Sequence, residues 1–339
     1  MESASVLSGN ALIFVGGFEV NEPMLRIPRA ALEKLVGTLE VQFVKLAECV
    51  VSPGWRITLD GGDAPAIHYN IGKTGVMLLD GHEPVELKPH TLVIVPAGRS
   101  FSVEGFHDTT PSTAIRTVEG NAQTFAPGSM RRFVAGSGVP QVLLICGYFQ
   151  ATFGSCVELF AGLSAPIVEH FDSTDSVDRK LTSALDELME QEVGAGAMTA
   201  ALLKQVLVML LRRSLSSNNQ WVERFSILGD PQIAQAFAEM ASAPGAAHTV
   251  PGLAKEVGLS RSVFIERFGT LFGRPPGEVL RELRMRRAAQ LLAGNARSID
   301  LVANDVGYAN RSSFMRAFRK SYGVDPSEYR ATARSPVAA

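Results

Sequence analysis

The chain has 339 residues, a formal net charge of −2 and 46% hydrophobic residues, a length that suits two or three domains with ample cores. It has no run of apolar residues long enough to span a bilayer, and the start Met1-Glu2-Ser3-Ala4-Ser5-Val6 lacks the positive charge of a signal peptide. Cys49, Cys146 and Cys156 are odd in number, far apart and without a CxxC pair, so neither a disulfide framework nor a zinc module is expected, and the cytoplasm is the expected compartment.

In chain order, Asn21–Thr38 suits a helix, and the residues that follow to about 150 read as mostly β. Val41–Val51, Gly75–Leu79, Thr91–Pro96 and Gln141–Tyr148 are β-rich runs. Turn residues punctuate them at 52–54, 60–62, 80–82 and 96–98. Short strands at this spacing predict a sandwich or small barrel. Gly105–Gly138, rich in Gly, Ser, Thr and Pro, reads as a long loop.

Pro53-Gly54-Trp55, His68, Gly75, Leu79-Asp80-Gly81, Leu92 to Pro96 with Gly98, and Cys146-Gly147-Tyr148-Phe149 give this region a pattern that resembles a cupin. A metal-dependent cupin carries a His-x-His pair with a carboxylate, and a further His after the Pro-x-Gly turn. Here the first position reads His68-Tyr69-Asn70 and the later one is Phe101, so no metal, no cofactor and no catalytic residue is expected. A small barrel can instead hold one small ligand. Trp55, His68, Asn70 and His107 are the candidate ligand-binding residues. The competing reading makes Trp55 a core residue and the histidines turn or surface residues. His82 and His90, beside turns, are expected to be solvated. Cys49 and Cys146 lie in apolar strands and read as small hydrophobes, and Cys156 precedes an apolar segment read as a helix start.

The segment 155–228 reads as helical. Ser176–Val193 places Val177, Leu181, Leu185 and Leu188 on one face. Met198–Leu215 is apolar over more than half its girth and ends in Arg212-Arg213, whose charges suit a helix C-terminus. Such a helix packs either between the barrel and a second protomer or wholly within one chain. Ser214–Asn219 begins a linker, and Asp230-Pro231 opens the last domain.

From Thr249 to Arg330 one pattern is written twice. Leu253-Ala254, Val257-Gly258, Phe264, Phe268, Gly273 and Pro276 return as Val302-Ala303, Val306-Gly307, Phe314, Phe318, Gly323 and Pro326, at an offset of 49 and then 50. Each copy reads helix, Gly turn, polar N-cap (Ser260 or Asn310), second helix. The Phe spacing buries one face of the second helix. The other face carries Ser262, Ile265, Glu266 and Gly269 in the first copy, and Ser312, Ser313, Arg316, Arg319 and Lys320 in the second. A purely structural bundle would explain the Phe spacing, but not the repeated Gly and polar cap or the surplus of Arg. Helix-turn-helix units place that second helix in the DNA major groove.

These residues, with the ending Gly323-Val324-x-Pro326-x2-Tyr329-Arg330, resemble the DNA-binding domain of the AraC/XylS transcription regulators. In that family two helix-turn-helix units are joined by a long helix, here 277–293. The cupin pattern likewise resembles the sensor domain of some AraC-type regulators. The resemblance implies a multidomain chain: a cupin-like β-barrel or sandwich over 1–154, a helical dimerisation segment over 155–228, and an all-α double helix-turn-helix over 229–333. It implies a sequence-specific transcription regulator, not an enzyme, whose partners are double-stranded promoter DNA, a small-molecule effector, a second copy of the chain and, for an activator, RNA polymerase. A regulator with a redox- or alkylation-sensing cysteine and a cupin enzyme fused to a DNA-binding module are the alternatives.

The expected DNA contacts are Arg261, Ser262, Ile265 and Glu266 in the first unit and Arg311, Ser312, Ser313, Arg316, Arg319 and Lys320 in the second. Arg316 is the leading base reader, because Arg on guanine is the commonest specific contact. Arg281 and Arg284 are expected on phosphates or acidic neighbours. Ile265 and Glu266 stand where many family members carry polar or basic base-reading residues; a carboxylate can accept from cytosine N4 but repels phosphate, so the first unit is expected to read less strongly than the second, or differently. Charge follows the same division: residues 230–333 hold 14 Lys+Arg against 10 Asp+Glu, and residues 1–229 hold 17 against 24.

Overall fold

The computed structural model of the protein describes residues 27–106, 115–124, 131–154, 156–172, 179–180, 183, 194–216, 229–294 and 297–334. Helix α1 (Arg29–Gly37) leads into β1 (Leu39–Val51), followed by β2 (Trp55–Leu59), β3 (Ala66–Asn70), β4 (Gly75–Leu79), β5 (Val85–Leu87), β6 (Thr91–Val95) and β7 (Phe101–Gly105). Then come β8 (Arg116–Glu119), β9 (Arg131–Ala135), β10 (Val142–Phe153), β11 (Val157–Glu158) and β12 (Ile167–His170). One sheet runs β12-β6-β3-β10-β1-β9 with β11 on β10, and the other runs β5-β4-β7-β2-β8.

The larger sheet is covered on both faces, which explains its unbroken apolar runs. Along β6, Val93 and Val95 join a core shared with Ile57, Met77 and Val103 of the smaller sheet. Leu92 and Ile94 point the other way, into a core with Leu35 of α1 and Leu207 of the long helix α2 (Ala195–Ser216). Period-two alternation therefore divides one strand between two cores.

Two expectations change here. Gly105–Gly138 is not one loop, because it contains β8 and β9. Both are edge strands paired in parallel, to β2 and β1. Their largely exposed polar residues hide them from an apolar pattern. The segment after 154 continues the sheet before any described helix: Cys156 precedes strand β11, and β12 pairs with β6. The helix expected over Ser176–Val193 lies almost wholly outside the described residues. Helix α2 itself buries Leu203, Val206, Leu207, Leu210 and Leu211 within this chain. From its last turn, Arg213 reaches β12, with Nε 3.4 Å from Glu169 and Nη2 donating to the His170 carbonyl at 3.2 Å.

The C-terminal helices are α3 (Pro231–Ser242), α4 (Val250–Glu256), α5 (Arg261–Phe272), α6 (Pro276–Gly294), α7 (Ile299–Asp305), α8 (Arg311–Tyr322) and α9 (Pro326–Arg334). The long α6 has no single apolar stripe because it serves two cores. Val279, Leu280 and Leu283 pack with Phe264 and Phe268, whereas Met285, Ala288 and Leu292 pack with Phe314 and Phe318. The first of these cores is continuous with the N-terminal domain, where α1 lies on α3. Lys34 Nζ bridges to Glu239 at 2.5 Å across that junction, and Gln290 donates to Glu40 at 3.3 Å.

Candidate nucleic-acid interface and barrel cavity

Each helix-turn-helix turn needs its glycine. Gly258 and Gly307 adopt φ of 70° and 81°, and a Cβ on Gly307 would come within 2.9 Å of the Gly245 carbonyl. The next helix is then started by a side-chain cap. Ser260 Oγ accepts from Val263 N at 3.4 Å, and Asn310 Oδ1 accepts from Ser313 N at 2.8 Å. Both helices end on a left-handed glycine, Gly273 or Gly323. Phe264, Phe268, Phe314 and Phe318 are fully buried, so the opposite face of each helix is forced outward.

That outward face carries the expected DNA contacts. Arg261, Ser262 and Glu266 are exposed on α5, with Ile265 36% and Val263 40% exposed beside them. On α8, Arg311, Ser312, Arg316, Arg319 and Lys320 are exposed, and Ser313 is half-buried. Arg311 contacts Asp300 at 3.2 Å and Arg319 contacts Asp325 at 3.8 Å, exposed pairs that a phosphate can displace. Among the described residues, Arg316, Lys320 and Arg261 have no ion pair. The two helices differ in charge at matching positions: Glu266, Gly269 and Thr270 on α5 face outward where α8 has Arg316, Arg319 and Lys320.

Other arginines of this domain hold its structure. Arg284 is not on an acidic neighbour: its guanidinium donates to the carbonyls of Pro244 and Ala246 at 2.8 and 3.0 Å. Arg281 is exposed. Arg267 forms a fork with Asp230, at 2.8 and 2.5 Å, and donates to Gln232 at 2.8 Å. Asp230 thus caps α3 and anchors α5 together. No spacing in the sequence marks that pair, because its members lie 37 residues apart.

In the N-terminal domain the candidate ligand residues separate. His68 lines a cavity of about 80 Å³ between the sheets, with Cys146 and Phe101. Strands β3 and β10 place His68 opposite Cys146, and Nδ1 lies 2.9 Å from Sγ. The Phe101 ring packs edge-on against the imidazole at 4.6 Å, offering carbon where a metal cupin offers nitrogen. Burial pushes the His68 imidazole down to about 3 and the Cys146 thiol well up, so both groups are neutral.

Trp55 and Asn70 are not among the residues lining the cavity. The Asn70 amide donates to the carbonyls of Lys73, Leu87 and Lys88 and accepts from Gly72 N, tying the turns after β3 and β5. Trp55 packs beside Gly136 and under Arg116, whose guanidinium carbon is 5.5 Å from the ring centre. His107 lies outside the described residues. His90 is half-buried rather than solvated, with Nδ1 3.1 Å from the Tyr69 hydroxyl. Cys146, read as a core hydrophobe, is the residue sequence reasoning missed, since its link to His68 depends on strand pairing. Desolvation pushes the Cys49 and Cys156 thiols up to about 12, which leaves them poor nucleophiles.

Comparison with known proteins matches residues 30–216, more than half the chain, to the cupin family, and residues 253–332 to a helix-turn-helix domain family. An AraC-like transcription regulator from Streptomyces lividans is 30% identical over 312 residues, covering 88% of this chain and 97% of that one. The chain belongs to the AraC-like transcription regulators. This regulator is also 24% identical over 313 residues to the RCS-specific HTH-type transcriptional activator RclR of Escherichia coli, covering 92% and 96% of the two chains. A solved AraC-type regulator structure from Chromobacterium violaceum shares 27% identity over 31% of this chain and 95% of that one, with a TM-score of 0.30. The regulator therefore joins a cupin-like N-terminal domain to a DNA-binding helix-turn-helix domain, and no helix among its described residues is long and apolar enough to cross a membrane.

Proposed function

We propose that this regulator reads DNA through the exposed faces of α5 and α8 and is switched by a small molecule held in the cupin-like domain. The observation that carries the DNA assignment is Arg316, exposed and without an ion pair among the described residues, on the face opposite the fully buried Phe314 and Phe318. Arg316 reads a base, Ser312 and Ser313 contact bases or phosphate near the N-terminus of α8, and Arg311, Arg319 and Lys320 contact phosphates. Arg261, Ser262, Ile265 and Glu266 form the corresponding surface of the first unit. The sensing part runs on past residue 154 through β12 (Ile167–His170) and α2, which pack into its sheet and core, and 229–333 binds DNA, in a cytoplasmic homodimer that contacts RNA polymerase if it activates. The cavity over His68 supports the effector reading over an enzymatic one, because the His68 imidazole and Cys146 thiol that meet in it are neutral and neither is an activated nucleophile.

The test is binding of the full chain to sites selected from random-sequence DNA, over a salt series. Saturable binding that survives random competitor DNA and weakens steeply with salt supports the reading. Binding erased equally by any DNA, with and without added small molecules, would refute sequence-specific regulation.

A further inference from the structure

We propose that the cavity over His68 and Cys146 binds a small uncharged molecule carrying one hydrogen-bond acceptor oxygen, such as a ketone, with the oxygen on His68 Nε2–H. The inference rests on the reading that the cupin-like domain holds the effector, and it names that effector's chemical class.

The hydrogen-bond inventory of the imidazole is the starting point. His68 is 2% exposed. Its Nδ1 is taken by Cys146 Sγ at 2.9 Å, while its Nε2 is buried with no partner among the described residues. Two neutral arrangements of the pair exist. In one the thiol donates to the Nδ1 lone pair and the ring hydrogen sits on Nε2. In the other Nδ1–H donates to sulfur. The thiol is a weak donor and its sulfur a weak acceptor, but the imidazole lone pair is the stronger acceptor of the two, so the first is the better bond and Nε2 carries the hydrogen. A buried donor without an acceptor is costly, and native structures rarely leave one so.

The surroundings define the rest of the ligand. Leu59, Ala66, Phe101 and Phe133 supply carbon walls, which favour an alkyl body. An engineered apolar cavity of about 150 Å³ accommodates benzene. This one, at about 80 Å³, suits a molecule smaller than benzene, on the order of acetone. At Nε2 an anion is disfavoured, because the imidazole there is neutral, the cation that lines the cavity, Arg131, is exposed at its rim, and a carboxylate would lose its hydration among the carbon walls. Asn121 and Arg131 lie exposed at the rim, where the ligand enters.

The experiment uses the full chain labelled with ¹⁵N-histidine, following the His68 ring signals as acetone is added. The expected result is a saturable shift of the Nε2–H signal, with acetate of similar size giving none. His68→Phe should weaken acetone binding at least tenfold by calorimetry. No saturable shift with acetone, equal binding by His68→Phe, or tighter binding of acetate would overturn the proposal. DNA affinity measured on the same samples separates the two readings. A ring shift with unchanged DNA affinity upholds the site and refutes effector control through it. A DNA response to another ligand class with His68 silent refutes the site and upholds effector control.

Discussion

Glu266 and Arg316 occupy the same turn of α5 and α8, fifty residues apart, and both stand exposed on the face opposite a buried Phe pair. One repeat unit thus presents a carboxylate where the other presents a guanidinium. Phosphate is attracted to a guanidinium and repelled by a carboxylate, so under the proposed reading the two units contribute unequally to DNA binding.

Arg316→Ala should weaken specific DNA binding by about 1–3 kcal/mol and relax the preference at one base pair. Glu266→Ala should raise affinity for random DNA by removing a repulsion. Fluorescence anisotropy on specific and random duplexes measures both. Equal losses on the two duplexes for Arg316→Ala would rule out base readout.

Asp230 both caps α3 and holds Arg267 of α5. Asp230→Ala should cost about 1–2 kcal/mol of stability, mostly from the lost cap, since the ion pair is partly exposed. Base preference should stay unchanged. Urea unfolding and a binding-site selection check the two halves. A changed base preference would mean that Arg267 reaches DNA.

Lys34 and Glu239 join the cupin-like domain to the DNA-binding domain at 2.5 Å. Because the pair is partly exposed, each single charge reversal should cost only about 0–1 kcal/mol, and the double reversal Lys34→Glu with Glu239→Lys should restore it. Amide exchange in α1 and α3 is the readout. Unequal protection of the two helices in the single variants would show that the apolar contacts, not this pair, hold the junction.

His68 contributes a pH dependence whose direction is fixed by burial. Its folded imidazole titrates at about 3, while the unfolded one titrates at about 6.5. Between those values the unfolded chain binds more protons, so stability is full above about 6.5 and falls as pH drops through the window. His68→Phe should flatten that slope in thermal unfolding from pH 7 to 4. An unchanged slope would mean that other groups carry the acid sensitivity.

The sequence by itself determined the repeated helix-turn-helix. Its signals are local: a glycine that needs positive φ, a cap at the next turn, and phenylalanines four apart on one helix face. It also determined the outward faces of α5 and α8, because burying one side of a helix exposes the other. It misread β8 and β9, whose stability lies in backbone pairing that leaves no apolar pattern. It missed the partners of Arg284 and Asn70, since a side chain's partner 38 residues away or in the next turn is set by packing. Only the tertiary structure decided that His68 meets Cys146, 78 residues on. Strand register creates that pair, and register is a property of the assembled sheet. The continuity of one hydrophobic core from the cupin-like domain into the first helix-turn-helix unit has the same origin, because burial is shared between surfaces that no local pattern can pair.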